Sequence, residues 1–326
     1  MASPWKAIFS FDDIVGESEG LQEAVRMARH AAEAGYPTLI VGESGTGKEL
    51  FAHAIHNASV RREGPFVAVN CGTVGGDLAA ATLCGYEAHS FTGADRHARK
   101  GILETARGGT LFLDELQDLP SVAQSVLLRF LETGTFVRVG GTHPVHSSVR
   151  IIAASNIPVE ELKNRGIVRA DLLYRLDCLV IEIPPLRERL ADIRPIGEKC
   201  LRGELHFAGE VDEKFWPALE TCPCPWPGNA RSLRNVLLKA MLKSTNGRLT
   251  LTDLPAELWA LRDTDLHVAR HGENHNHEPS DGDVGALKAV LTAAHDNVSE
   301  TARRLGIHRS TVYRRLARAT KFEPSH

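Results

Sequence analysis

The chain has 326 residues, 43% of them apolar and 24% charged, with a net charge of -3. That composition fits a globular protein with at least one sizeable core and excludes a generally basic polymer, so any nucleic-acid contact must come from a local basic patch. No stretch approaches the roughly 18 apolar residues of a membrane helix, no basic-then-apolar leader opens the chain, and six dispersed cysteines lack any CxxC pair. A reducing, cytoplasmic setting is expected, with neither membrane nor export.

Residues 1–10 form an N-terminal tail. Residues 11–184 carry short apolar or β-branched runs that read as buried strands: Thr38 to Val41, Phe66 to Val69, Thr110 to Leu113, Arg150 to Ala154 and Leu179 to Ile183. Periodic stretches between most of them read as helices, for example Leu50, Phe51, Ala54 and Ile55 on one face. Strands alternating with helices predict an α/β fold with a parallel five-stranded sheet covered on both sides. Gly134 to Val145 predicts a glycine-turned hairpin before the fourth strand. Strands stop after Pro184-Pro185, and residues 185–261 are mostly helical in pattern. Residues 262–283 hold His267, His271, His275 and His277 but little apolar periodicity, which reads as a flexible linker. Residues 284–322 form a last, compact helical unit. The close pair Cys222-Pro-Cys224 reads as buried or loop thiols, since no second pair stands at ligand spacing.

The chemistry concentrates after the first strand. Gly42-Glu43-Ser44-Gly45-Thr46-Gly47-Lys48 joins a strand to a helical run. Such a turn aims backbone N–H groups and a helix dipole at a polyanion, and Lys48 is placed for β- and γ-phosphates. The next residue is Glu49, where the strict phosphate-loop pattern has Ser or Thr. The strand from Thr110 ends in two carboxylates: Asp114 suits Mg2+ through water, and Glu115 suits polarising an attacking water. Asn156 follows the fourth strand, as either a turn residue or a phosphate sensor. Arg169, Arg175, Arg187, Arg189 and Arg231 cluster downstream, either as surface charge or as stabilisers of transition-state charge, including from a neighbouring subunit.

At the far end, Asn297 to Leu316 reads as helix, glycine turn, helix. Ala302 and Leu305 pack the first helix, Gly306 permits the turn, and Ser310 caps the second helix. Val312 and Leu316 face inward. Arg309, Ser310, Thr311, Arg314 and Arg315 are then candidate contacts to DNA phosphates or base edges.

These residues resemble one family: the AAA+ activators of sigma-54 RNA polymerase, or bacterial enhancer-binding proteins. The resemblance runs from about Phe11 to Trp259 and resumes in the last forty residues. Gly42 to Glu49 matches the family's variant phosphate loop, Glu included, and Gly108 to Glu115 matches its acidic strand end. Arg169 to Leu176 is similar to its arginine-finger segment, and Pro184 to Arg189 and Pro225 to Asn229 are also typical. Gly85 to Ala94 resembles the GAFTGA loop: Phe91, Thr92, Gly93 and Ala94 match, while His89 and Ser90 replace Gly and Ala. The C-terminal unit resembles a Fis-type helix-turn-helix.

The resemblance implies an AAA+ core, an α-helical lid subdomain and a C-terminal all-α domain. It implies ATP and Mg2+ as cofactors and a homo-oligomer, typically a hexamer and a dimer when inactive. By position, Asn70 restrains Glu115, Asn156 is the first sensor, Arg169 and Arg175 reach the neighbour's nucleotide, and Arg231 is the second sensor. Ile14, Val15 and Gly16 lie near adenine, and Phe91 to Ala94 touch sigma-54. The expected partners are the sigma-54 RNA polymerase holoenzyme and enhancer DNA. The first ten residues cannot hold a sensory domain, so either a separate regulatory partner or small molecule controls the protein, or the chain is a truncated form. The alternative reading is a nucleotide-gated DNA-binding regulator or repressor without sigma-54 remodelling, motivated by His89 and Ser90.

Overall fold

Five parallel strands form the central sheet: β1 Thr38–Val41, β2 Phe66–Asn70, β3 Thr110–Asp114, β4 Arg150–Ser155 and β5 Val180–Glu182, in the order β2-β3-β4-β1-β5. The computed structural model describes residues 5–76, 78–90, 96–244 and 246–259. The loop residues Phe91 to Ala94, the linker and the helix-turn-helix lie outside them, as do all the DNA-contact candidates. All five expected strands are present, with ends shifted by a residue or so. Among the described residues, no helix is long and apolar enough to cross a membrane.

The side-chain alternation of the strands decides the layering. Leu111, Leu113, Ile151 and Ala153 join one apolar cluster with α3 Ser121–Thr133 and α4 Ala170–Leu176; α1 and α2 precede them in the chain as Glu19–Ala34 and Lys48–Asn57. The intervening Phe112, Ile152 and Ala154 join a second cluster, with Leu21, Ala24 and Ala28 of α1 and Phe51 and Ile55 of α2. Both faces are therefore covered, as parallel sheets require. α2 is buried more widely than one face: His53 and His56 are also inside, the latter's Nδ1 2.9 Å from Thr110 Oγ1. Burial lowers the basicity of both imidazoles. At the start of β4, the buried Arg150 donates through Nη2 to Ala31 O at 2.5 Å and so caps the last turn of α1; burial pushes its guanidinium down to about 10.

The expected tail is a strap. Trp5 O accepts from Phe66 N at 3.1 Å, Ile8 N donates to His53 Nδ1 at 3.1 Å, and Asn57 Nδ2 donates to Phe9 O at 2.7 Å. The segment lies along α2 and the start of β2 because Ala7 and Phe11 are buried there.

The predicted hairpin is present as Thr135–Val137 paired with Pro144–His146. A second short ladder, Gly85–Tyr86 with Arg99–Lys100, forms the base of the loop that contains Phe91. The bases of the two are joined: Glu87 N donates to Val139 O at 3.0 Å, and Arg138 pairs with Glu87 at 3.1 Å and Glu104 at 2.8 Å.

The region after Pro185 is a separate helical layer with its own core of Leu186, Ile193, Phe215, Trp216, Trp226 and Leu237. Its main helices are α5 Ile193–Lys199 and α6 Asn229–Lys243, and a π-helical turn, Cys200–Glu204, extends α5. One expectation needs correction: strands do not stop at Pro185. Glu210–Val211 pairs in parallel with Arg248–Leu249, and Leu249 is fully buried in the core of this layer. Cys222 and Cys224 are buried free thiols, as expected. The Cys222 thiol hydrogen-bonds Cys224, which lowers Cys224 and raises Cys222.

Phe112 tests the two-sided burial. It is 1% exposed, so Phe112→Ala is expected to cost about 3–5 kcal/mol in equilibrium urea denaturation. A loss under about 1 kcal/mol would show that the α1–α2 face is not closely packed.

Candidate nucleotide-binding site

The strand order makes β1 the switch point: the chain leaves it for β2 on one side and returns to β5 on the other. Ligands of open α/β sheets bind outside the carboxyl ends of strands at such a point. The Gly42–Lys48 loop occupies it, opening α2 directly. Gly45 and Gly47 have φ of +78° and +107°, values that L side chains rarely adopt. Thr46 Oγ1 donates to Glu43 O at 2.8 Å, and Lys48 Nζ donates to Gly42 O and Glu43 O at 2.7 and 3.1 Å.

Neighbouring strand ends bring in the acids. Asn70 and Asp114 sit opposite each other in the β2–β3 register. Asn70 Nδ2 donates to Glu115 Oε2 at 2.7 Å, while Asn70 Oδ1 accepts from Gly72 N at 2.9 Å, so the amide is oriented from both ends. Glu115 itself has φ of +55°, a conformation uncommon for a side-chain-bearing residue and one that clusters at functional sites. Asp114 Oδ1 accepts from Glu115 N at 3.0 Å. Burial raises the Asp114 carboxyl above the usual range, partly offset by the Glu115 amide and Lys48. Burial lowers Lys48, with Asp114 and Glu115 opposing. A half-buried carboxylate that burial destabilises fits a cation ligand, so the donor set suits Mg2+ at Asp114. Asn156 is exposed just beyond β4.

The second layer closes the site in a way the motifs did not announce. Asn229 Nδ2 donates to Ser44 O at 2.9 Å, Ala230 N to Gly45 O at 3.1 Å and Arg189 Nη2 to Thr46 O at 3.2 Å. Glu43 is held by Arg187 at 2.8 Å and by Asn229 at 3.3 Å, and Arg231 Nη1 donates to Ser44 Oγ at 3.2 Å. A Cβ on Gly45 would sit 2.2 Å from Gly228 O, so the glycine is needed for this seat as well as for its φ. Arg189 in turn pairs with the fully buried Asp192 at 3.8 Å. Asp192 also accepts from Glu17 N, Ser18 N and Ser18 Oγ at 2.8, 3.0 and 2.5 Å. That carboxylate ties the half-buried Ile14-Val15-Gly16 segment to the same layer. Sequence reasoning missed Asp192; it met Asn229 only as the end of a segment typical of the resembled family, and Arg187 and Arg189 only within another such segment and an arginine cluster, in each case without a role toward the loop. The Pro-Gly turn before Asn229 was the available signal.

Arg169 and Arg175 are not brought into this site. Both are exposed on or beside α4, Arg169 paired with Asp171 at 2.8 Å and Arg175 with Glu132 at 3.6 Å. His89, which replaces Gly in the resembled loop, has φ of +59°: the backbone there demands the conformation a glycine adopts freely.

Three family models match the chain: "Sigma-54 interaction domain" over residues 14–182, "AAA+ ATPase lid domain" over 187–270, and "PucR C-terminal helix-turn-helix domain" over 284–322. The last is a different helix-turn-helix model from the Fis type expected. The acetoin dehydrogenase operon transcriptional activator AcoR of Bacillus subtilis is 38% identical over 315 residues, which cover 95% of this chain and 51% of AcoR. The DNA-binding transcriptional regulator NtrC of Rhizobium meliloti is 34% identical, covering 93% of this chain and 69% of NtrC. The chain thus spans about half the length of AcoR. Among solved structures, NtrX from Brucella abortus in complex with ATP superposes with a TM-score of 0.65 at 31% identity, covering 94% of this chain and 68% of NtrX. A Thermotoga maritima RuvB mutant, 15% identical with a TM-score of 0.51 over 94% of this chain and 87% of its own, shares the fold alone.

Asp114 gives a signed pH test. Its folded-state pKa is raised, so the stability tied to its protonation is complete below the unfolded value near 3.9 and is lost as pH rises through the folded value. Asp114→Asn keeps the acceptor for Glu115 N and removes the buried charge. We expect it to raise the thermal midpoint at pH 7 without nucleotide and Mg2+, with the gain vanishing toward pH 3. A midpoint at pH 7 equal to or below that of the parent chain would overturn the assignment of burial as the cause.

Proposed function

This chain belongs to the sigma-54-dependent transcriptional activators of the AAA+ class, and from that premise we propose that it hydrolyses ATP in a homo-oligomeric ring to remodel the sigma-54 RNA polymerase closed complex. The observation that carries the reading is the Asn70–Glu115 bond of 2.7 Å at adjacent strand ends, on the same edge of the sheet as Lys48. A carboxylate positioned there polarises water, and an amide that holds it away from the reaction until the γ-phosphate is seated prevents idle turnover. The loop from Gly42 to Glu49 cradles the phosphates, with Ile14, Val15 and Gly16 beside adenine. Asp114 is the residue that would hold Mg2+, and the ion, when bound, would neutralise phosphate charge. Asn156 and Arg231 sense the γ-phosphate.

Arg169 and Arg175 act in the neighbour's site, which accounts for their exposure away from this one. Such a division of labour requires a ring, a hexamer in the active form and a dimer at rest. Phe91, Thr92, Gly93 and Ala94 contact sigma-54. Arg309, Ser310, Thr311, Arg314 and Arg315 bind enhancer DNA, and a separate regulatory protein or a further domain controls assembly in the cytoplasm.

Lys48→Ala is expected to abolish nucleotide binding, whereas Glu115→Ala should retain it and lose hydrolysis by about 100-fold or more. Normal hydrolysis by Glu115→Ala would remove Glu115 from its role. Open-complex formation on a sigma-54 promoter with enhancer DNA tests the coupling: no ATP-dependent activation counts against the whole proposal.

The φ of His89 favours keeping a second reading, a nucleotide-gated DNA-binding regulator or repressor that does not remodel sigma-54. Converting His89 and Ser90 to Gly and Ala decides between the two. A severalfold gain in open complexes marks an activator restrained at this loop, and unchanged, absent activity marks the regulator.

A further inference from the structure

A phosphate-binding loop works by pointing successive N–H groups at one anion. A peptide plane is rigid and trans, so its C=O and the following N–H point in opposite directions. Fixing the carbonyl outward therefore aims the next amide inward. The loop here has three consecutive carbonyls, of Ser44, Gly45 and Thr46, each accepting a hydrogen bond from the helical layer. Their donors are Asn229 Nδ2, Ala230 N and Arg189 Nη2; of the N–H groups that follow those carbonyls, that of Thr46 donates within the loop to Glu43 O at 3.3 Å, so the anion seat rests on those of Gly45 and Gly47.

The donors are themselves held. Asn229 is fully buried with φ of +50°, and its Oδ1 accepts from Leu186 N at 2.6 Å, which leaves Nδ2 aimed at the loop. Arg187 meets Glu43 Oε2 at 2.8 Å, and Asn229 meets the same oxygen at 3.3 Å. Glu43 is thus the pivot between the first residue pair of the loop and two elements of the helical layer. Arg189 is 4% exposed and backed by Asp192.

We propose that Asn229 and Arg187 are positioning residues for the phosphate grip: the helical layer shapes the anion seat from behind by holding the loop's carbonyls and Glu43, so that its position sets phosphate affinity. This rests on the nucleotide-binding reading above. It assigns to the layer a part in binding that is separate from the Arg231 contact to Ser44 Oγ. Adenine recognition by the Ile14–Gly16 side does not pass through Asn229 or Arg187. The cost of loosening them therefore falls on the phosphates.

Two variants test it. Asn229→Gly keeps the positive φ without strain and removes the donor to Ser44 O. Arg187→Gln keeps the stem and removes the charge that meets Glu43. Binding of ADP, ATP and adenosine to each is measured by competition against a fluorescent ADP analogue, with the ATPase rate and thermal midpoint alongside. The expected result is a loss of about tenfold or more in affinity for ADP and ATP with adenosine unchanged, a raised KM, and kcat at saturation within about threefold of the parent, since Glu115 is untouched. Equal losses for adenosine and ADP, or parental ADP affinity in both variants, would overturn the proposal. If Asn229→Gly does not fold, the ADP and adenosine affinities of Arg187→Gln decide on their own. A parent chain that binds neither ADP nor ATP would instead defeat the nucleotide reading itself.

Discussion

A glycine-rich loop has too little side chain to hold its own shape. In this protein that shape depends on hydrogen bonds from residues more than 140 positions later in the chain, above all from Asn229 and Arg189 to the carbonyls of Ser44 and Thr46. The sheet sets where the loop begins, through Gly42 N on Ser155 O, and where its helix runs. The curvature between those points belongs to the helical layer. Asp192 extends the same logic to the Gly16 turn, where a Cβ would fall 2.6 Å from its carboxyl carbon. One buried carboxylate and one buried amide thus hold three separated segments in register. Their removal would orphan several polar groups at once, the costly case for buried hydrogen bonds.

Burial also explains the electrostatics of the site. It lowers Lys48 and raises Asp114, so each ion is disfavoured by its surroundings and partly rescued by the other. Groups in that condition gain most from a ligand that brings complementary charge into a partly buried place. A surface lysine or aspartate would offer the same charge with much less response.

The five strands were legible because apolar or β-branched runs of four or five residues are too short for a helix and too apolar for a solvated loop. The carboxylates at the end of β3 and the loop after β1 were legible for a related reason: chemistry in such sheets is placed at strand ends. Asn229 and Asp192 were not. Each is a short polar residue in a loop or first turn, which by composition alone looks solvated, and only the fold reveals that both are fully buried. His53 and His56 escaped similarly, since a polar residue on a helix is ordinarily assigned to water, and here the strap and β2 cover that side. The Leu249 strand pair was too short for any periodicity to show.

The strap has a consequence of its own. Ile8 donates its amide to Nδ1 of His53, which accepts that bond only while the nitrogen carries no proton; burial, which lowers the basicity of the imidazole, works in the same direction. His53 lies five residues along α2 from Lys48, about 8 Å on the helix axis. One helix therefore carries the Lys48 ammonium at its head and the strap tied across its middle. The segment from Trp5 to Phe11 and the side chain of Lys48 are thus fastened to one and the same helix, the first across its middle and the second in its opening turn.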